Sequence, residues 1–173
     1  MNLNAVLERY AGLEKRGVLF YRGLAERWHD HHEAARLWRE LSNTEASHFA
    51  LLELAQDWVA MAGGGQSAPA LDEAAFEALS ARMAELEAAA GRSDCAREEA
   101  VELSIRWEEL ELPRILELVA HLPARARGQV MAGMVAEGVE HYRMLQELVR
   151  VAGAASQAER VNTLAERCRS ALG

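Results

Sequence analysis

Residues 63–95, GGGQSAPALDEAAFEALSARMAELEAAAGRSDC, decide how the rest of the chain must be arranged. Three successive glycines stop the helix that precedes them and supply flexible backbone, so 63–70 reads as a loop. Asp72 then caps a short amphipathic helix over about 72–90, with Phe76, Leu79, Met83 and Leu86 on one face and Gly91-Arg92-Ser93-Asp94 at its end. More than thirty residues therefore separate two long periodic stretches, far more than a hairpin turn needs. Such a segment can carry the chain from one end of a helical bundle to the other.

On its N-terminal side, apolar residues recur at three- and four-residue steps from Val6 through Tyr10, Leu13, Val18, Tyr21, Leu24 and Trp28, giving a helix over about 2–28. The polar run His29-Asp30-His31-His32-Glu33 reads as a solvated turn. A second helix over about 33–62 passes through Leu37, Leu41, Phe49, Leu52, Ala55 and Trp58. On the C-terminal side, a third long helix over about 96–122 runs through Val101, Ile105, Leu112, Ile115 and Val119, with a kink expected at Pro113. A fourth, over about 124–152, follows Pro123 and runs through Val130, Met134, Leu145 and Leu148, and a last short helix covers about 156–171. Both pairs are joined by short turns, so each is an antiparallel hairpin. Two hairpins linked by one long crossover predict an all-α, ferritin-like four-helix bundle, one domain over 1–173 with accessory helices in the crossover and at the C-terminus.

Composition points the same way. Half the residues are hydrophobic and only 6% aromatic, and Thr and Ile occur twice each, which is helix-forming material that argues against an all-β or α/β domain. A net charge of −8 argues against nucleic acid as a main partner. No apolar run approaches a membrane span, and the start, MNLNAVLERY, lacks the basic and apolar regions of a signal peptide, so a cytoplasmic protein is expected. Cys95 and Cys168 lie far apart with no CxxC, which excludes a disulfide scaffold, a zinc ribbon or a rubredoxin-type iron site on these residues and leaves two incidental thiols. Trp38, Trp58 and Trp107, with Met131, Met134 and Met144, read as packing residues.

The informative residues break the apolar stripes. Glu14 falls between Tyr10 and Tyr21, Glu45 and His48 between Leu41 and Leu52, Glu108 between Ile105 and Leu112, and His141 between Met134 and Leu145. An unpaired buried carboxylate costs several kcal/mol, and these stripes carry no arginine to offset it. A pair of metal ions would. Glu45-Ala-Ser-His48 places a carboxylate and an imidazole one turn apart on one face, a donor set that iron, manganese and zinc accept. The arrangement recurs: Glu14 precedes His48 by 34 residues and Glu108 precedes His141 by 33, so the two hairpins look like repeats.

Glu14 followed by Phe20-Tyr21, then Leu41-Ser-Asn-Thr-Glu45-Ala-Ser-His48-Phe49, resembles the rubrerythrin branch of the ferritin-like superfamily over about 5–150. The resemblance implies a centre of two iron ions held by Glu14, Glu45, His48, Glu108 and His141, reacting with hydrogen peroxide or dioxygen. It makes Tyr21 the candidate catalytic residue, matching a tyrosine which that family places beside the metals. The second such tyrosine is missing, since Ile115 stands at its position. The family would place a bridging glutamate three residues before His141, where this chain has Gly138. Glu137 is expected to ligate in its place, with a one-residue π-bulge restoring the spacing; Glu140 and Glu111 are the alternatives. The implied protein is a homodimer that draws electrons from a separate donor protein. Iron handling as a ferroxidase inside an oligomeric shell, and a metal-free helical interaction module, are the competing readings.

Overall fold

The computed structural model describes residues 2–61 and 73–172, with the side chains of Arg125, Met131, Val135, Ala136, Ala171 and Leu172 outside that description. The expected glycine stop at 63–65, the loop over 63–70, the Asp72 cap and the packing of Met131 therefore lie outside the described residues. The elements are helices: α1 (Leu3–Arg27), α2 (His32–Met61), α3 (Glu73–Gly91), α4 (Arg97–Ala120), α5 (Ala124–Ala152) and α6 (Ala158–Leu172). A 3-10 turn at Ala155–Gln157 precedes α6 and delays its start by two residues relative to expectation. Asn2 begins α1 by accepting a hydrogen bond from the Ala5 amide at 2.9 Å. Gly153 ends α5 in a left-handed conformation at φ 75°, which glycine adopts without steric cost. Pro113 lies inside α4 without ending it.

Cross-helix bonds give the directions. Residues 28–31 and 121–123 are too short to do anything but reverse the chain, so α1 and α2 are antiparallel, as are α4 and α5. Arg97 approaches His31 at 2.8 Å, and seven residues further along both segments Trp38 Nε1 donates to Ser104 Oγ at 3.1 Å. Hence α2 and α4 run parallel. The crossover helix makes that possible. Arg9 pairs with Glu73, Arg16 binds Ser80 and Glu87, and Arg27 reaches the Ser93 carbonyl, so α3 rides alongside α1 in the same direction. It returns the chain to the end where α2 began.

The four long helices close a ring in which α1 packs on α2, α2 on α5, α5 on α4 and α4 on α1. α3 covers α1 and α4, while α6 lies across α4 and α5. Arg160 fixes α6 by a two-pronged bond to Glu109 and a third bond to Glu102. Trp38 and Trp107 are fully buried, and Trp107 stacks on Phe20 at 4.7 Å between ring centroids. Met134 and Met144 are buried as well, and Trp58 packs half-buried against the core. Both cysteines are buried and free. The His29–Glu33 run is exposed; His29 contacts Glu26 and Asp30, His31 contacts Trp28 and Arg97, and Glu33 pairs with Arg150. No described helix is long and apolar enough to cross a membrane.

Candidate metal centre

The inward glutamates meet at mid-bundle. α1 brings Glu14, α2 brings Glu45 and His48, α4 brings Glu108, and α5 brings His141; each of the carboxylates and His141 is at most 4% exposed. His48 Nδ1 lies 3.6 Å from Glu14 Oε2 and 3.8 Å from Glu45 Oε2. His141 Nδ1 lies 3.7 Å from Glu45 Oε1, and its Nε2 lies 3.0 Å from Glu108 Oε1. Two trios of donor atoms result, Glu14–Glu45–His48 and Glu45–Glu108–His141, each with its atoms within 4.8 Å of one another. Glu45 belongs to both. The imidazoles stack across it with ring centroids 5.9 Å apart.

These groups lack ordinary partners. Both oxygens of Glu14, both of Glu45, Nδ1 of His141 and Nε2 of His48 are buried without a hydrogen bond. Among the described residues no arginine or lysine pairs with the cluster, whose ion pairs run among its own members and from His48 to Glu137. Buried polar groups in native proteins are nearly always satisfied, so this many together call for a ligand that is itself positively charged. Mixed carboxylate and imidazole donors suit iron, manganese or zinc. These residues can hold a metal ion.

The backbone is shaped around the same groups. A Cβ at Gly17 would stand 3.2 Å from both Cγ and Oε2 of Glu45, so glycine in mid-helix leaves the space in which that side chain lies. Tyr21, fully buried, donates its hydroxyl to Glu108 Oε1 at 2.5 Å, which leaves the other oxygen of that carboxylate for the centre. Ser104, which periodicity did not single out, braces this corner: its hydroxyl accepts from Trp38, and its carbonyl stands 3.5 Å from the Tyr21 hydroxyl.

The three carboxylates expected as a further donor, Glu111, Glu137 and Glu140, differ in burial. Glu111 is 5% exposed; its Oε2 accepts from Trp107 at 3.1 Å while its Oε1 is buried and unbonded. It lines a cavity of about 50 Å³ together with Glu14, His48, Glu108, Gly138 and His141. Glu137 is more exposed, at 37% of its side chain, yet its Oε2 is likewise buried and unbonded and lies 3.9 Å from His48 Nε2; neither it nor Glu111 belongs to a donor trio. Glu140 faces solvent and pairs with Arg143. The π-bulge expected before His141 is not formed: α5 is α-helical throughout. His141 faces the cluster from a regular helix, so nothing drives an extra residue into the turn.

Electrostatics set what the cluster holds without metal. Burial, reinforced by Glu14 and Glu108 over the opposing pull of His48 and His141, raises Glu45 to about 8. Burial, with Glu14, Glu45 and Glu108 nearby, pushes Glu111 well above the usual carboxylate range. Burial acts to raise Glu108 too, but the charge of His141 and the Tyr21 bond outweigh it and hold Glu108 low. Burial opposes charge on both imidazoles, yet the facing carboxylates overcome it and raise His48 and His141. Tyr21 is raised by burial first and by Glu108 second, and stays a neutral donor. Protons thus occupy the places that cations would take.

Comparison of the chain with protein-family models, with curated proteins and with solved structures found no match.

Proposed function

We propose that the cluster binds two divalent metal ions, iron foremost with manganese or zinc as chemical substitutes, and couples oxidation of ferrous iron to reduction of hydrogen peroxide or dioxygen. The observation that carries this reading is the convergence of orphaned donor atoms around the shared Glu45. The arrangement of two antiparallel hairpins with a crossover between parallel helices agrees with a ferritin-like bundle, and the Glu45–His48 motif with a rubrerythrin-like centre. Glu14, Glu45 and His48 would hold one ion, and Glu45, Glu108 and His141 the other. Glu111 supplies the fourth carboxylate, so four negative charges balance two divalent cations with both imidazoles neutral.

When bound, iron supplies the electrons and the open positions at which a small oxidant is reduced. The chain's own residues do the rest. Glu45, Glu111 and the histidines, all raised without metal, would have to give up protons for ions to bind. Tyr21 fixes the rotamer of Glu108, and Gly17 keeps Glu45 in place. Leu112, Ile115, Leu116 and Met134 give the cavity an apolar wall that limits water. Its volume of about 50 Å³ is far below the ~150 Å³ of a cavity that takes up benzene, so a two-oxygen molecule fits and an aromatic substrate does not.

The test is metal content and absorption of protein loaded anaerobically with ferrous iron, before and after peroxide. Two irons per chain and a rise in near-ultraviolet ferric absorption support the reading. Protein that retains no metal, or iron that peroxide leaves ferrous, overturns it.

A further inference from the structure

The cavity beside the carboxylates has one contributor that the metal reading does not use. α1 gives it Glu14, α2 His48, and α4 and α5 nearly all the remainder, while α6 gives a single residue, Cys168. Of the buried side chains of α6, Val161, Leu164, Ala165 and Cys168, only the thiol lines the cavity. Cys168 is 6% exposed and forms no disulfide. It faces a chamber into which Glu14, Glu111 and His141 also point buried atoms that no protein group satisfies. Cys95 is the contrast. It is equally buried, but it sits in the connection before α4, about four helical turns from Glu111, and its thiol donates to the Ala96 carbonyl at 3.6 Å.

We infer that Cys168 is a second reaction site of this cavity, a thiol that reduces hydrogen peroxide admitted there and becomes a sulfenic acid. The inference deepens the preceding reading, since it requires the small oxidant to enter the same chamber, but it does not require metal to be bound. In the step a sulfur–oxygen bond forms as the oxygen–oxygen bond breaks. Sulfur loses two electrons, peroxide gains them, and the thiol proton leaves with the departing hydroxide as water. Burial, with Glu108 adding to it, raises the Cys168 thiol over the opposing pull of His48 and Arg169, so the sulfur rests protonated.

The experiment treats the folded protein with peroxide, then denatures it in the presence of a cyclic dione that traps sulfenic acids, and maps the adduct by peptide mass. The expected result is an adduct on Cys168 at least about five-fold over Cys95, absent from Cys168→Ala protein and kept by Cys95→Ala protein. An even division between the two cysteines, an excess on Cys95, or no adduct on either overturns the inference. Circular dichroism of both variants confirms that they fold. Metal content measured on the same samples reports separately on the centre: bound metal with an unmodified Cys168 sinks only the thiol, and a modified Cys168 without metal sinks only the metal reading.

Discussion

The two hairpins begin from one pattern and end as different structures. α1 and α2 lie against each other over most of their length, with Gly17 and the Ser42 hydroxyl, which donates to the Val18 carbonyl at 2.9 Å, marking the close approach. α4 and α5 touch over a much shorter stretch, and the space between them holds the cavity with α6 across it. The first hairpin keeps the full carboxylate–imidazole pair, Glu45 and His48. In the second, His141 has Gly138 one turn before it, and the buried Glu111 lies on the neighbouring helix. The first half is thus closed around its donors, and the second is open to the cavity.

The sharpest way to break that comparison is to remove the residue both halves share. Glu45→Ala should abolish binding of both ions, measured as metal per chain after equilibrium dialysis; retention of either ion shows the halves to be independent. Next, Glu111→Gln should lose the ion of the open half and halve the metal content, whereas Glu137→Gln should keep both, because Glu137 is the more exposed. The reverse outcome assigns the fourth carboxylate to α5.

A third test uses protons. Glu45 is raised to about 8 from 4.5, so in metal-free protein its contribution is present below pH 4.5 and is lost as pH rises through about 8. His48, His141 and Glu111 are also raised and carry the same sign. Glu108 is lowered and works oppositely, but in acid, below its usual 4.5. The melting temperature of metal-free protein should therefore fall as pH rises from 6.5 through about 8, and zinc should flatten the fall. A melting temperature that climbs over that window would remove the proton-filled picture of the empty cluster.

The smallest effect belongs to Gly17→Ala. The new methyl crowds Glu45 at 3.2 Å, while helix propensity returns up to about 1 kcal/mol, so stability should change little and metal affinity should fall about ten-fold. Unchanged affinity would show that Glu45 has room to shift.

Much of this was legible in the sequence for a simple reason. The 3.6-residue period survives along each helix, so six helices lie on the stretches it marks among the described residues, and Glu14, Glu45, Glu108 and His141 stood out as breaks in apolar stripes. Their side chains neither splay into water nor lock onto guanidinium groups. The choice between Glu111 and Glu137 was not legible, because each lies within about 60° of its helix's inward line and only packing angles separate them. The role of α6 was hidden for a related reason. Periodicity says that a helix has an apolar face, not which groove that face fills, so Cys168 read as incidental. Tyr142, buried against His141 at 5.4 Å between ring centroids, was missed likewise, although its neighbour in sequence was singled out.

Arg160 straddles Glu102 and Glu109, residues two turns apart on one helix, so a single guanidinium registers both the height and the rotation of α6. The ceiling of the chamber is keyed at that point, as a lid is indexed to its box. A lineage that drifted there would lose the chamber's shape before it lost any helix.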